Sequence, residues 1–212
     1  MQPHKIISIR PLTDITFVLR LERNDFVFRA GQFIMLEDPK TRQRREYSVY
    51  SGENDNYLEV LVRRIDGGLV SNRLGQLLPG TEVLVDGPFG FFTLRPVSIA
   101  NHIWIATGTG VSPFHSFSRT FSDINYRLIH GVRNKSEAYD HDHFLPDRVV
   151  LCTSASAQGD FPGRVTGYLS GYSPQPTDLY YLCGNSLMIG EVFDLLTSKG
   201  VLTNNIYSEV YF

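Results

Sequence analysis

The sequence predicts a two-part fold, an antiparallel β-barrel or sandwich followed by a parallel α/β sheet, and three observations carry that prediction. From Lys5 to about Leu94, the short β-rich runs "DITFVLRLE", "GQFIMLED", "YLEVLVRRI" and "TEVLVDGPF" are separated by Gly, Pro, Asn and Asp, with no long helical pattern between them. From about His102 strand-like and helix-like segments alternate: "HIWIAT" then "SPFHSFSRTF", "YRLIHGV" then "EAYDHDHF", "RVVLCTS" then "GRVTGYLSGY", "DLYYLCG" then "SLMIGEVFDLLTSKG", and last "NNIYSEVYF". Between the halves "LRPVSIAN", with Pro96, marks the expected boundary, giving domains of residues 1–97 and 98–212.

Composition narrows the partners. Hydrophobic residues make up 42% and charged residues 20%, enough for a buried core and too apolar for wholesale disorder. A net charge of -2, from 20 Lys+Arg against 22 Asp+Glu, lacks the basic excess of a protein that holds nucleic acid through phosphates. Cys152 and Cys183 are the two cysteines, 31 positions apart, so neither a disulfide framework nor a four-cysteine metal or iron-sulfur site can be built within this chain. The N-terminus has no apolar core of signal-peptide length, and no window reaches the roughly 20 apolar residues of a membrane span. A cytoplasmic chain in a reducing compartment is the expectation.

Two stretches raise chemical questions. "RREYSVYS", Arg44 to Ser51, sets guanidinium, phenol and hydroxyl groups side by side. Strand alternation places Arg45 and Tyr47 on one face and Ser48 on the other, so a shared role implies a break near Ser48. The same residues also read as an ordinary amphipathic strand. In "IATGTGVSPF", Gly108 and Gly110 follow an apolar strand and Ser112-Pro113 opens a helix, a turn whose bare backbone and free N–H groups suit a phosphate. Glycine is needed there equally to pack strand against helix, and the turn departs from the full dinucleotide fingerprint, with Phe114 and His115 in the region where a third glycine would fall.

Taken in order, "REYS", "GGLVSNRL", "GTGVSPF", "CGNSLMI" and the terminal "EVYF" resemble the ferredoxin-NADP reductase family over nearly the whole chain. The resemblance implies a flavin-binding antiparallel β-barrel domain followed by an α/β nicotinamide-nucleotide domain. It implies that Arg45 pairs with a flavin phosphate, Tyr47 lies against the isoalloxazine, and Ser48 bonds near the ring nitrogen that takes the hydride. A guanidinium fork matches phosphate oxygens, and a flat phenol covers a flat ring. Gly68, the backbone N–H groups of Leu69 and Val70, and the Ser71 hydroxyl become a second phosphate segment, with Asn72 and Leu74 beginning its helix. A glycine turn capped by Ser71 would have the same backbone without a ligand. "GPFGFF", Gly87 to Phe92, resembles the family's end-of-barrel turn.

In the second half the resemblance assigns Thr109 and Gly110 to a pyrophosphate. Cys183 and Gly184 follow a buried strand where nicotinamide meets flavin. Glu209 and Tyr211 match the family's terminal acid and aromatic, Tyr211 as a gate on the flavin face, and Phe212 covers the adenine end of FAD. Ser48, Cys183, Glu209 and Tyr211 are thus the expected catalytic group. "TSASAQGDF" supplies Ser154 without the adjacent arginine of NADP-selective members, whereas "GVRNKSEAYD" offers Arg133, Lys135, Ser136 and Tyr139 and no acidic residue at its strand end. The preference therefore leans to NADP(H) over NAD(H).

No metal is assigned. In "DHDHF", read as a solvated helix end, His141 and His143 are two apart and do not share a helical face. Residues 1–97 carry 13 Lys+Arg against 12 Asp+Glu and the rest 7 against 10, with Lys40, Arg42, Arg44 and Arg45 beside the flavin motif, where a negatively charged carrier would be steered. The expected enzyme passes a hydride from NADPH to FAD and single electrons to a separate ferredoxin or flavodoxin. A reductase component of an oxygenase or a free-flavin reductase using NADH, and a non-catalytic flavin-binding sensor module, are the alternatives.

Overall fold

The computed structural model of the chain describes residues 1–95 and 100–211. The expected boundary at 97/98 and the expectation for Phe212 lie outside the described residues. Two compact units are present: Met1–Leu94 with His115–Thr120, and Arg95–Phe114 with Phe121–Phe212.

The first unit is a six-stranded antiparallel sheet of order β4-β3-β6-β1-β2-β5. Its strands are β1 (Gln2–Pro11), β2 (Thr16–Glu22), β3 (Phe33–Glu37), β4 (Arg44–Ser48), β5 (Tyr57–Arg63) and β6 (Glu82–Phe89). A bridge between Val49, just past β4, and Val60 of β5 joins the two edge strands and closes the sheet into the barrel that the family resemblance implies. Period-two alternation explains the core: Phe17, Leu19 and Leu21 of β2, Ile34 and Leu36 of β3, and Leu58, Val60 and Val62 of β5 all point inward. Helix α1 (Leu69–Leu74) adds Val70 and Leu74, one turn apart, to the same core. α1 begins at Leu69 and not at Asn72 as the sequence suggests. Gly68, in extended conformation, is its N-cap, and Ser71 already lies inside it. β1 does not stand out in the sequence, because only His4 and Ile6 of its ten residues are buried.

The second unit is a parallel sheet of order β10-β9-β8-β7-β11-β12. Its strands are β7 (His102–Thr107), β8 (Tyr126–Val132), β9 (Val149–Thr153), β10 (Phe161–Pro162), β11 (Leu179–Asn185) and β12 (Ile206–Tyr211). Helix α3 (Val165–Ser170) and the 13-residue α4 (Ser186–Ser198) cover one face with Val165, Leu169, Met188, Ile189, Val192 and Leu196. Trp104 stacks on Tyr126 at 4.1 Å and on Phe114, in the first part of α2 (Ser112–Thr120), at 5.7 Å. Asn185 caps α4 by accepting the Leu187 and Met188 N–H groups. Strand order reverses between β7 and β11, and in such sheets ligands bind beyond the carboxyl ends of the strands at that switch. No helix among the described residues is long and apolar enough to cross a membrane.

The expected helix over "EAYDHDHF" is absent. Lys135–Glu137 and His141–His143 form separate single 3₁₀ turns, and Asp140 between them has φ +47°, a left-handed conformation that breaks any continuous helix.

Candidate functional site

β4 ends at Ser48, so the break that the motif requires is present. Arg45 and Tyr47 lie across from Leu36 and Ile34, and Ser48, which is buried, lies across from Phe33. Burial pushes the Tyr47 hydroxyl up to about 12, with the Arg45 guanidinium acting in the opposite sense.

The neighbouring charges separate Arg45 from the other basic residues. Arg42 and Arg44 both pair with the buried Glu37, at 2.8 and 2.7 Å. Arg73 faces the buried Asp38 at 3.5 Å. Arg45 is exposed, donates to the Arg44 carbonyl at 2.6 Å, and forms no ion pair among the described residues. A guanidinium left without a carboxylate beside a half-buried phenol fits a phosphate and a flat ring.

In the second segment the Ser71 hydroxyl accepts the Ile65 N–H at 3.2 Å, and the Asn72 side chain donates to the Ile65 and Gly68 carbonyls. The Val70 side chain faces the core and that of Leu69 faces outward, so only their backbone groups are placed to meet a phosphate. Gly67, at φ +70°, has no atom within 4 Å of where a Cβ would stand, leaving that turn open. Gly87 and Phe89 of the expected end-of-barrel turn belong to β6, and Phe91 beyond it is fully exposed.

In the second unit the glycine turn sits at the switch point. Gly108–Val111 forms a 3₁₀ turn between β7 and α2. Gly108, at φ +53°, has open space where a Cβ would point. Gly110 differs: a Cβ there would stand 2.7 Å from the Cys183 carbonyl carbon, so this glycine lets the turn pack on β11. The Thr109 carbonyl accepts the Ser112 hydroxyl at 2.8 Å.

Cys183 and Gly184 lie within β11 and not after it. Cys183 pairs in register with Glu209, and Asn185 with Tyr211, so the expected Cys183, Glu209 and Tyr211 come together at the carboxyl ends of β11 and β12. Burial, and then the Glu209 carboxylate, raise the Cys183 thiol well above its ordinary value, while the nearby Tyr211 works the other way. The group is a protonated thiol and not a nucleophilic thiolate.

Arg133, just past β8, and Ser154, just past β9, are far apart in sequence and adjacent in the sheet. The Ala155 N–H donates to the Arg133 carbonyl at 2.9 Å, and the Ser154 N–H to the Val132 carbonyl at 3.0 Å. Lys135 follows on the same exposed segment, and neither cation forms an ion pair among the described residues. Tyr139, grouped with them in the sequence, is buried.

His141 is not on a solvated helix end: it lies 2.8 Å from His130, whose other ring nitrogen is 2.9 Å from the Gly108 carbonyl. A carbonyl only accepts, so His130 Nε2–H donates to Gly108 and His130 Nδ1 accepts from His141 Nε2–H. Burial lowers both, His130 to about 3 and His141 to about 4. The neutral pair braces the glycine turn, a link that sequence spacing does not reveal.

A barrel with an arginine and a tyrosine at a strand end, ahead of a parallel sheet with an open glycine turn at its switch point, is the arrangement expected of a flavin-dependent oxidoreductase. The oxidoreductase FAD-binding domain family matches residues 6–94. Over 98% of its length the chain is 28% identical to a ferredoxin--NADP reductase B of Sorangium cellulosum and spans 96% of that protein. Over 97% of its length it is 28% identical to the toluate 1,2-dioxygenase electron transfer component of Pseudomonas putida, of which it spans 66%. It spans about half, 51%, of a propane 2-monooxygenase reductase component of Mycolicibacterium smegmatis. A ferredoxin NADP+ reductase of Neisseria gonorrhoeae, solved with bound FAD and NADP, shares the fold with a TM-score of 0.91 over 100% of this chain and 98% of that one, at 24% identity. Residues 6–94 thus match the oxidoreductase FAD-binding domain family, and the two-unit fold is shared with a ferredoxin NADP+ reductase.

Proposed function

We propose that the chain takes a hydride from NADPH onto FAD and passes single electrons to a separate ferredoxin or flavodoxin. The observation that carries this reading is the meeting of Cys183, Glu209 and Tyr211 at the strand ends by the sheet's switch point, in a chain whose residues 6–94 match an FAD-binding domain. Bound FAD supplies the conversion of a two-electron donor into one-electron steps. Arg45 binds a flavin phosphate, Tyr47 covers the ring and Ser48 bonds near its reactive nitrogen, with backbone N–H groups of Gly68–Ser71 on the remaining phosphate oxygens.

The Gly108–Gly110 turn and Thr109 receive the nucleotide pyrophosphate. Arg133 and Lys135, with Ser154 alongside, hold the 2'-phosphate that distinguishes NADPH. The adjacency of Arg133 and Ser154 supports that preference, because the arginine missing after Ser154 in sequence is supplied from the neighbouring strand. Cys183 donates from its protonated thiol toward the nicotinamide, Glu209 keeps that thiol protonated, and Tyr211 holds the ring space until nicotinamide enters. Lys40, Arg42, Arg44 and Arg45, four cations against Glu37, Asp38 and Glu46 on the same hairpin, steer an acidic carrier.

A second reading, a reductase component of an oxygenase using NADH, is favoured by the equal 28% identity to the toluate dioxygenase component. Anaerobic stopped-flow absorbance of the flavin-loaded protein, mixed separately with NADPH and NADH, tests both. Rapid bleaching by NADPH with NADH much slower is expected. Fast bleaching by NADH alone would move the second reading forward, and none with either would leave a binding module.

A further inference from the structure

We propose that Asp38 is a positioning residue for the flavin-phosphate site, holding Arg73 and the β3–β4 turn so that Arg45 and the Gly67–Gly68 turn face a common ligand. The proposal rests on the flavin reading above. Asp38 follows β3 and is fully buried. Its side chain accepts the Lys40 N–H at 3.1 Å and the Thr41 hydroxyl at 2.9 Å. Its N–H donates to the Gln43 carbonyl at 3.0 Å, so the β3–β4 ladder runs one residue past Glu37. Alternation then puts Asp38 on the face of Leu36, and Leu36 is the cross-strand partner of Arg45. From that face the Asp38 carboxylate reaches Arg73 of α1 at 3.5 Å. One carboxylate thereby ties the hairpin that carries Arg45 to the helix that follows the second phosphate turn.

Glu37 falls on the opposite face and is occupied by Arg42 and Arg44. Closing the hairpin does not by itself require a charge at Asp38: Lys40 and Thr41 bond different carboxylate oxygens, and an asparagine would keep the Lys40 bond on its oxygen while its amide donates to the Thr41 hydroxyl. Only Arg73 needs the charge, and an unpaired buried carboxylate is costly. Although burial works to raise the Asp38 carboxyl, those two hydrogen bonds and Arg73 hold it below its ordinary value.

The test compares FAD with riboflavin, which lacks phosphate, by flavin fluorescence titration of the full-length apoprotein, with far-UV circular dichroism as a check of folding. Asp38→Asn should raise the Kd for FAD about five- to tenfold, the equivalent of roughly one ordinary hydrogen bond, and that for riboflavin less than about twofold. Arg73→Gln should reproduce that selective loss, and Asp38→Glu should recover part of it. If Asp38→Asn does not fold, Arg73→Gln decides the matter. Equal weakening of both flavins, or no change in either, overturns the proposal. Arg45→Ala is run alongside: selective loss there without it at Asp38 and Arg73 removes this inference alone, whereas no selectivity at any of the three removes the phosphate reading itself.

Discussion

Cys183 on β11 and Glu209 on β12 are direct partners across two parallel strands, with Asn185 and Tyr211 paired two residues further on. Since burial and Glu209 both raise that thiol, it carries a proton at any physiological pH. Cys152, also buried, is pushed up to about 12. Iodoacetamide should therefore label both cysteines of the native protein at least about a hundredfold more slowly than those of the unfolded chain. Glu209→Gln removes a charge that raises the thiol, so labelling of Cys183, followed by mass spectrometry, should begin at lower pH. Fast native labelling near neutrality would contradict a thiol held for donation.

Arg45 stands apart from Arg42, Arg44 and Arg73, each of which has a carboxylate partner. Replacing it by alanine should cost about 1.5–3 kcal/mol of FAD binding, roughly a ten- to hundredfold rise in Kd. Protein stability without flavin should change little, because the side chain is exposed and among the described residues bonds the adjacent carbonyl alone. Unchanged retention of FAD would remove Arg45 from the site.

Arg133→Ala tests the nucleotide preference. It should raise the KM for NADPH about tenfold, the equivalent of one charge-assisted contact, and leave that for NADH nearly unchanged. Equal effects on both nucleotides would make Arg133 a bystander on an exposed segment.

Much of the fold is legible in the sequence because both periodicities are clean. "YLEVLVR" alternates so that Leu58, Val60 and Val62 face the core, and the strand-helix order after His102 permits only a parallel sheet. Local motifs are legible too, as the end of β4 at Ser48 shows. What escapes is whatever depends on register between distant segments. Asp38 and Arg73, Arg133 and Ser154, and His130 and His141 meet only after the strands align. Local reading also misjudges residues that serve backbone geometry. Ser71 reads as a helix cap, yet Gly68 takes that place, and the charged "DHDHF" reads as helix although Asp140 adopts a left-handed turn. Asn185, within the nicotinamide motif "CGN", caps α4.

Gly108 and Gly110 look alike in sequence and should respond differently to alanine. At Gly110 the added Cβ would stand 2.7 Å from the carbonyl carbon of Cys183, backbone that cannot move aside cheaply, so Gly110→Ala should destabilise by on the order of 3 kcal/mol. At Gly108 the space is open and only the φ of +53° opposes a side chain, so Gly108→Ala should cost about 1 kcal/mol. Urea unfolding of the two variants measures the difference, and equal costs would mean that the turn does not pack on β11 as described.

The His130–His141 pair predicts a pH dependence of stability with a definite sign. Both groups have folded values, about 3 and about 4, below the ordinary 6.5, so the unfolded chain binds protons that the folded one refuses. Their contribution is fully present above about pH 6.5 and is lost as pH falls toward about 4, at up to about 1.4 kcal/mol per pH unit for each proton. Glutamine at position 141 keeps an N–H that can donate to His130 Nδ1 but cannot titrate. Between about pH 7 and about pH 5, His141→Gln should therefore lose about 1–2 kcal/mol less than the parent chain in urea unfolding. The expected difference is confined to that acid range, because above it both residues are neutral in either state. Parallel pH profiles for the two proteins would mean that His141 gains its proton in the folded chain as readily as in the unfolded one, and that the pair does not brace the Gly108 turn.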